Sequence, residues 1–314
     1  MLETVASCAL TVSETAVIKK NRLLPRQDFE EQKRIAIVSG THGDELEGQY
    51  VCYELVKRIT ANMSRLKGIV DIYPSINPLG MESVTRAVPM SGLDMNKVFP
   101  GSDTGAIAEN VAAKLVADIS GADICIDIHA SNIFIREVPQ VRISKANSDL
   151  LLKYARLLNT DFVWVHNSNA VGEGSIADTL NKNGVPTLVV EMGVGQRITK
   201  SYCSQLLVGI FNLMSTMGMW TGTVETVSHP MVSTDGSVKV IHAEQSGIFI
   251  PSAEHNMWVQ KGTVIGEIVT PISGTVEQEI TAPADGLIFS LREYPIVYEG
   301  SVIARILSMG EEEI

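Results

Sequence analysis

The chain has 314 residues, 45% of them hydrophobic and 19% charged, which is enough for one large core or two domains. The net charge of −11 disfavours nonspecific binding to nucleic acid or anionic membranes, although a substrate site can still be locally positive. The four cysteines form no C-x-x-C pair, and we see no leader or membrane-length apolar run. We therefore expect a cytoplasmic protein with a small-molecule substrate and no nucleic-acid or membrane partner; a homo-oligomer stays open.

Between residues 35 and 220 the sequence alternates apolar, strand-like runs with runs of helical periodicity. Strands are predicted at 35–39, 69–75, 124–128, 162–165 and 187–191, and helices at 45–63, 105–120, 148–158, 175–183 and 199–219. This alternation predicts an α/β fold with a mixed, mostly parallel sheet flanked by helices. The less regular runs 9–18 and 22–24 predict an antiparallel edge.

After Trp220 the helical periodicity ends, and short β-rich runs alternate with glycines. Strands are predicted at 223–227, 237–242, 247–250, 263–268, 274–279, 286–290 and 301–306. This pattern indicates a smaller all-β barrel or sandwich. We divide the chain into a catalytic domain, residues 1–220, and an all-β domain, residues 221–314.

Two predicted strands end in residues that can bind a metal. His42 and Glu45 follow the first strand, and His129 follows the strand at 124–128. Because the carboxyl ends of parallel strands meet at one edge of a sheet, these three side chains are expected to converge. Two histidines and a glutamate form a catalytic zinc site with an open fourth position. Asp127 lies on the same side of its strand as His129 and is expected to orient an imidazole.

Each of these residues alone has an ordinary alternative, a helix-capping acid or a histidine at a strand end. Their combination, however, occurs within a longer pattern that resembles the succinylglutamate desuccinylase/aspartoacylase family, relatives of the zinc carboxypeptidases. The matching segments keep the family order and span residues 40–45, 77–78, 85–86, 92–100, 127–129 and 190–193. The resemblance implies a zinc carboxypeptidase-like fold, one Zn²⁺ per chain and hydrolysis of an N-acyl amino acid amide.

The resemblance also implies roles for individual residues. Glu191 matches the general base that takes a proton from the water and returns it to the leaving amine. Arg86 matches the arginine that stabilises the oxyanion, and Asn96 with Lys97 matches an Asn-Arg pair that grips the substrate carboxylate. Lysine lacks the planar fork of arginine, so a weaker or differently placed anionic group is expected. Glu173 would suit an amine-bearing substrate better than a dicarboxylate.

The leading prediction is a zinc-dependent amidohydrolase that removes an acyl group from an N-acylated amino acid or related amine. A zinc carboxypeptidase for short peptides would use the same groups, and a non-catalytic ligand-binding protein could share the fold. His166 is either a third-ligand candidate that lines the pocket or a surface histidine. Tyr294 and Tyr298 are candidates for reaching the substrate from the second domain.

Overall fold

The computed structural model describes residues 1–27, 32–167 and 172–308, which form six α-helices and seventeen strands. The helices are α1 (Glu47–Ala61), α2 (Pro78–Ser83), α3 (Ile107–Ile119), α4 (Ser148–Ala155), α5 (Ile176–Lys182) and α6 (Lys200–Thr216). The strands are β1 (Leu2–Ala9), β2 (Thr15–Leu23), β3 (Arg34–Ser39), β4 (Ile69–Tyr73), β5 (Ile124–Ala130), β6 (Ile135–Ser144), β7 (Phe162–His166), β8 (Thr187–Gly193), β9 (Met231–Thr234), β10 (Val238–His242), β11 (Gly247–Pro251), β12 (Met257–Val259), β13 (Val264–Thr270), β14 (Thr275–Thr281), β15 (Gly286–Arg292), β16 (Ile296–Val297) and β17 (Val302–Ser308).

A large mixed sheet runs through the molecule in the order β1-β2-β4-β3-β5-β8-β6-β15-β17-β10. Its centre, β4-β3-β5-β8, is parallel, and β1 with β2 forms the predicted antiparallel edge. Helices α1, α4 and α6 cover one face, and α3 and α5 cover the other. The predicted α/β class with a mixed sheet flanked by helices is confirmed.

The side chains of β3 alternate between the two faces of the sheet, and this explains why helices cover both faces. Ile35 and Ile37 pack into the core under α1 and α6, whereas Ala36 and Val38 pack into the core under α3. Successive side chains of a strand point to opposite faces, so an uninterrupted apolar run is stable only between two layers of helices.

The sequence did not predict α2, β6, β9, β12 or β16, and two of the predicted strands were wrong. The long strand β6 was not predicted, because Arg136, Pro139 and Arg142 interrupt its apolar pattern. Residues 223–227 were predicted as a strand but are irregular. The predicted strand 9–18 spans the turn between β1 and β2.

The C-terminal strands form a sandwich that shares the large sheet. A second antiparallel sheet, β14-β13-β11-β16, encloses a core with β15 and β17 that contains Phe249, Ile268, Ile288 and Ile306. Strand β15 also pairs with β6, and β9 pairs with β7, so hydrogen-bonded strands cross the proposed division at residue 221. That division stays a prediction. Among the described helices, none has the length and apolar character needed to cross a membrane.

Candidate metal centre and adjoining cavity

The loop between β3 and α1 carries two of the predicted ligands, His42 and Glu45. The loop packs directly on α2: a Cβ added to Gly43 would lie 2.0 Å from the carbonyl carbon of Gly80. Only glycine permits this approach. Asn77 caps α2, accepting from the Gly80 amide at 3.0 Å, and donates to the Thr41 carbonyl at 3.4 Å. The helix start therefore fixes the backbone just before His42.

His42, Glu45 and His129 converge as predicted, and all three are buried. Their ligand atoms lie within 4.8 Å of one another. His42 Nδ1 is 2.7 Å from Glu45 Oε1, and His129 Nδ1 is 2.9 Å from Glu45 Oε2. The Ala130 amide also donates to Glu45 Oε2 at 3.1 Å, which holds the carboxylate between the two rings.

The outer nitrogen of each imidazole contacts a carboxylate. His129 Nε2 lies 3.0 Å from Asp127 Oδ2, and His42 Nε2 lies 3.0 Å from Asp94 Oδ1. Histidines that bind metals commonly donate this second N–H to a carboxylate, which leaves the other nitrogen free for the ion. The sequence predicted the Asp127 contact. Asp94 lies in the matching segment 92–100, but the sequence assigned it no role, because it stands in a loop far from His42 along the chain.

The surrounding charges favour a cation between the two rings. The hydrogen bond from His42 lowers the pKa of Asp94 to about 2. Burial would raise the pKa of Glu45, but His129 and His42 outweigh it and hold that pKa well below its usual range. Two nitrogens and one carboxylate, supported by two further carboxylates, make a donor set that fits Zn²⁺.

A cavity of about 390 Å³ opens beside the centre. The charged residues of its wall are Glu45, Arg86, Glu137, Arg142, Glu191 and Arg305. Arg86 Nη1 donates to Glu45 Oε1 at 2.7 Å. The cavity therefore joins a predicted metal ligand, the predicted base and the predicted oxyanion arginine in one space.

Glu191 reaches the cavity because β8 pairs with β5 in register, which makes Glu191 the direct partner of His129. Burial raises the pKa of Glu191, and the positive charge of Arg142 opposes this rise. Arg142 Nη1 lies 3.4 Å from Glu191 Oε1, and Arg142 Nη2 donates to Glu137 Oε2 at 2.7 Å. Neither Glu137 nor Arg142 was predicted, since both lie on the missed strand β6.

Asn96 and Lys97 do not line this cavity. The backbone amide of Asn96 donates to Asp94 Oδ1 at 2.9 Å, so this segment borders the metal centre. The side chain of Asn96 is used elsewhere, since its Oδ1 accepts from the backbone amide of Ile176 at 3.4 Å. Lys97 is exposed. Glu173 is also exposed and lies outside the cavity wall, so the described structure gives no support for its suggested effect on the substrate.

His166 stands apart from the metal centre. Its Nδ1 lies 2.9 Å from Asp235 Oδ1, and its ring stacks on Trp164 with 4.2 Å between ring centroids. Residues 168–171, which follow it, lie outside the described residues. Tyr294 packs edge-on against Phe134, and neither Tyr294 nor Tyr298 lines the cavity. The C-terminal residue that does line it is Arg305, which the sequence gave no reason to select.

Three candidate metal ligands beside a charged cavity fit the arrangement found in metal-dependent hydrolases. The succinylglutamate desuccinylase/aspartoacylase catalytic domain model matches residues 31–217, more than half of the chain. The chain belongs to this family of deacylases. The family resemblance found in the sequence is thereby confirmed.

The individual proteins that this chain resembles share less than a quarter of its sequence. An N-α-acetyl-L-2,4-diaminobutyric acid deacetylase from Halomonas elongata is 23% identical over 285 residues, covering 88% of this chain and 82% of that protein. A succinylglutamate desuccinylase/aspartoacylase structure from Rhodobacter sphaeroides superposes with a TM-score of 0.81 at 22% identity, covering 98% and 95%. The product-bound structure of the ectoine utilization protein EutE (DoeB) from Ruegeria pomeroyi superposes with a TM-score of 0.79 at 18% identity. The match covers 96% of this chain and 92% of that chain. These structures share the fold over nearly the whole length.

Proposed function

We propose that this chain is a zinc-dependent amidohydrolase that removes a small acyl group from an N-acylated amino acid. The observation that carries the proposal is the single cavity whose wall contains Glu45, Arg86 and Glu191. Water activation, proton transfer and oxyanion stabilisation are the three tasks of amide hydrolysis, and each has a matching group in this space.

Zinc at His42, Glu45 and His129 would lower the pKa of a bound water to about 7 and so supply a nucleophile at neutral pH. Asp94 and Asp127 hold the two imidazoles with Nδ1 directed at Glu45, the orientation that ligation requires.

Glu191 acts as general base and then as general acid. Its carboxylate accepts the proton of the attacking water and delivers it to the leaving amine. A base is most effective when its pKa lies close to the working pH, and burial shifts the pKa of Glu191 in that direction. Arg142, on the adjacent strand, holds the carboxylate on the cavity side.

Arg86 donates to the oxygen on which negative charge develops. Its loop is fastened to the ligand loop, since the Arg86 carbonyl accepts from the Gly43 amide at 3.4 Å and from Asn77 Nδ2 at 3.5 Å. Asn96 and Lys97 are proposed to orient a polar end of the substrate; their support is the contact of the Asn96 amide with Asp94 beside the centre.

The cavity volume supports a small substrate. About 390 Å³ lies near the lower end of the range usual for small-molecule pockets, roughly 300–1,000 Å³. This favours an acylated amino acid over an extended peptide. N-acetyl-2,4-diaminobutyrate belongs among the first substrates to test, because the Halomonas elongata relative is named for its deacetylation.

The proposal is tested with zinc-loaded protein on N-acetyl, N-succinyl and N-formyl amino acids, acylated diamines and short peptides. Glu191→Gln should lower kcat by about 10²- to 10⁴-fold while the protein keeps its zinc. Glu279→Gln, an exposed glutamate of β14, is the matched control and should retain full activity. Unchanged turnover in Glu191→Gln would refute the assigned base, and hydrolysis of peptides alone would favour the carboxypeptidase alternative.

A further inference from the structure

A row of residues in register crosses the large sheet, starting at the metal centre. His129 of β5 pairs with Glu191 of β8, and Glu191 pairs with Gln140 of β6. Directly paired residues present their side chains on the same face of a sheet. The register then shifts along β6, where Gln140 Nε2 donates to Glu137 Oε2 at 3.2 Å.

The row continues into the C-terminal strands. Glu137 pairs with Ser290 of β15, and Ser290 pairs with Arg305 of β17. Arg305 therefore stands on the face that carries Glu191, although the two residues come from distant parts of the chain. This explains why a residue of the all-β region lines the cavity.

Buried hydrogen bonds hold the Arg305 side chain in place. Nη1 donates to Glu137 Oε1 at 2.7 Å and to Ser290 Oγ at 3.1 Å. Glu137 is 1% exposed, and its other oxygen accepts from Arg142 at 2.7 Å, so one carboxylate bridges two guanidinium groups. Such a bridge fixes both arginines with little loss of freedom on ligand binding.

Both arginines keep hydrogen-bond donors that no protein atom uses. Within residues 1–27, 32–167 and 172–308, Arg305 Nε and Nη2 make no hydrogen bond; Arg142 Nε also lacks a partner, but it is buried and a ligand cannot reach it. A guanidinium edge with two free N–H groups matches the two oxygens of a carboxylate. The Glu137 bridge therefore leaves donor groups for a ligand in the cavity.

The charges of the cavity wall are balanced. Arg86, Arg142 and Arg305 match Glu45, Glu137 and Glu191, and Asp94 with Asp127 would offset the two positive charges of a divalent cation at the metal centre. An anionic group of the substrate is therefore attracted most strongly where hydrogen-bond donors are free, beside Arg305.

We propose that Arg305, fixed by Glu137 and assisted by Arg142, determines specificity by binding a carboxylate of the substrate. The inference rests on the proposed deacylase function and adds to it a residue that recognises the substrate. It gives the C-terminal strands a direct part in substrate recognition. The planar guanidinium of Arg305 can also bind both oxygens of a carboxylate, which the ammonium of Lys97 cannot do.

The test compares the best N-acyl amino acid of the panel with its carboxamide, which differs only in lacking the carboxylate. The wild-type enzyme should prefer the acid. In Arg305→Gln we expect kcat/KM for the acid to fall about 10- to 100-fold, chiefly through KM, while the carboxamide changes less than about threefold. Lys239→Gln, on the neighbouring strand β10 and exposed, is the charge-matched control and should keep the preference.

A second variant guards against misfolding. Arg305→Gln leaves Glu137 paired with Arg142, and Arg305→Met keeps a side chain of similar length without the charge. Loss of the acid preference in either folded variant supports the subsite. Retained preference, an equal loss for both substrates, or no preference in the wild-type enzyme overturns it. Failure of the wild-type enzyme to hydrolyse any of the panel would instead refute the proposed function.

Discussion

Asp127 Oδ2 lies 3.0 Å from His129 Nε2, and the two residues share one face of β5. The contact orients the imidazole with Nδ1 toward Glu45, and it makes the ring a more basic ligand. A carboxylate that never touches the ion would thus contribute to its affinity.

Replacing the Asp127 carboxylate should weaken zinc binding, and more so in the alanine variant than in the asparagine variant. Asp127→Asn keeps an acceptor but loses the charge, and we expect about a tenfold lower affinity; Asp127→Ala loses both, and we expect about 100-fold. Chelator competition measures both constants. Asp235→Asn, which contacts His166 away from the centre, is the control. Affinities equal to wild type in both Asp127 variants would contradict the role.

Arg86 provides a test of the chemical step. Arg86→Ala should lower kcat about 10²- to 10³-fold with little change in KM, because its donor acts on charge that develops only in the transition state. Arg86→Lys should recover part of this loss. The zinc content of each variant needs to be measured, since Arg86 Nη1 also contacts Glu45. A rise in KM alone would indicate substrate binding as the function of Arg86.

The sequence predicted the parts of the site that follow apolar strands. His42, Glu45 and His129 could be placed because β3 and β5 are uninterrupted and parallel, so their ends had to meet. Glu191 follows the same logic on β8. In each case a local pattern determines on which edge of the sheet the side chain lies.

The remaining site residues depend on contacts that no local pattern encodes. Asp94 reaches His42 from a loop, and Glu137 and Arg142 lie on β6, whose apolar pattern is interrupted by charged residues and a proline. Arg305 joins the cavity only because β15 adds to the edge of β6 and β17 follows it. These are long-range strand pairings, which depend on tertiary packing more than on propensity.

Arg142 should control the pH dependence of the reaction. Glu191 must be deprotonated to act as base; burial raises its pKa, and Arg142 counteracts this. Removing Arg142 therefore raises the pKa of Glu191 further. In Arg142→Gln the acid limb of the kcat/KM profile should move to higher pH, with activity recovering above it.

A matched control separates this effect from general damage to β6. Arg136→Gln removes an arginine of the same strand that pairs with Glu293, at 3.0 Å, outside the cavity wall. Its acid limb should stay at the wild-type position. An acid limb that moves to lower pH in Arg142→Gln, or does not move, would contradict the assignment of Glu191 as the titrating base.

An ion pair between the buried Lys20 and the partly exposed Asp118 ties the antiparallel edge of the sheet to α3. Lys20 of β2 is 2% exposed and donates to both oxygens of Asp118, at 2.8 and 2.7 Å, and the Tyr73 hydroxyl donates to the same carboxylate at 2.6 Å. Burial raises the pKa of Asp118, but the hydrogen bonds from Lys20 and Tyr73 outweigh it and leave that pKa below its usual value. The folded state thus stabilises the ionised carboxylate.

Asp118→Asn should consequently destabilise the protein in a pH-dependent way. Because the folded pKa lies below the unfolded value of about 3.9, the contribution is complete well above pH 4 and is lost as the pH falls through the folded pKa. We expect a loss of about 1 to 2 kcal/mol in the free energy of unfolding at pH 7, since the buried Lys20 loses its main partner but keeps Glu3 at 3.4 Å and Asp71 at 3.9 Å. Urea unfolding in chelator at pH 7 and near pH 3 measures both values, with the exposed Asp103→Asn as control. An equal loss at both pH values would show that packing, and not the charge of Asp118, holds this edge to α3.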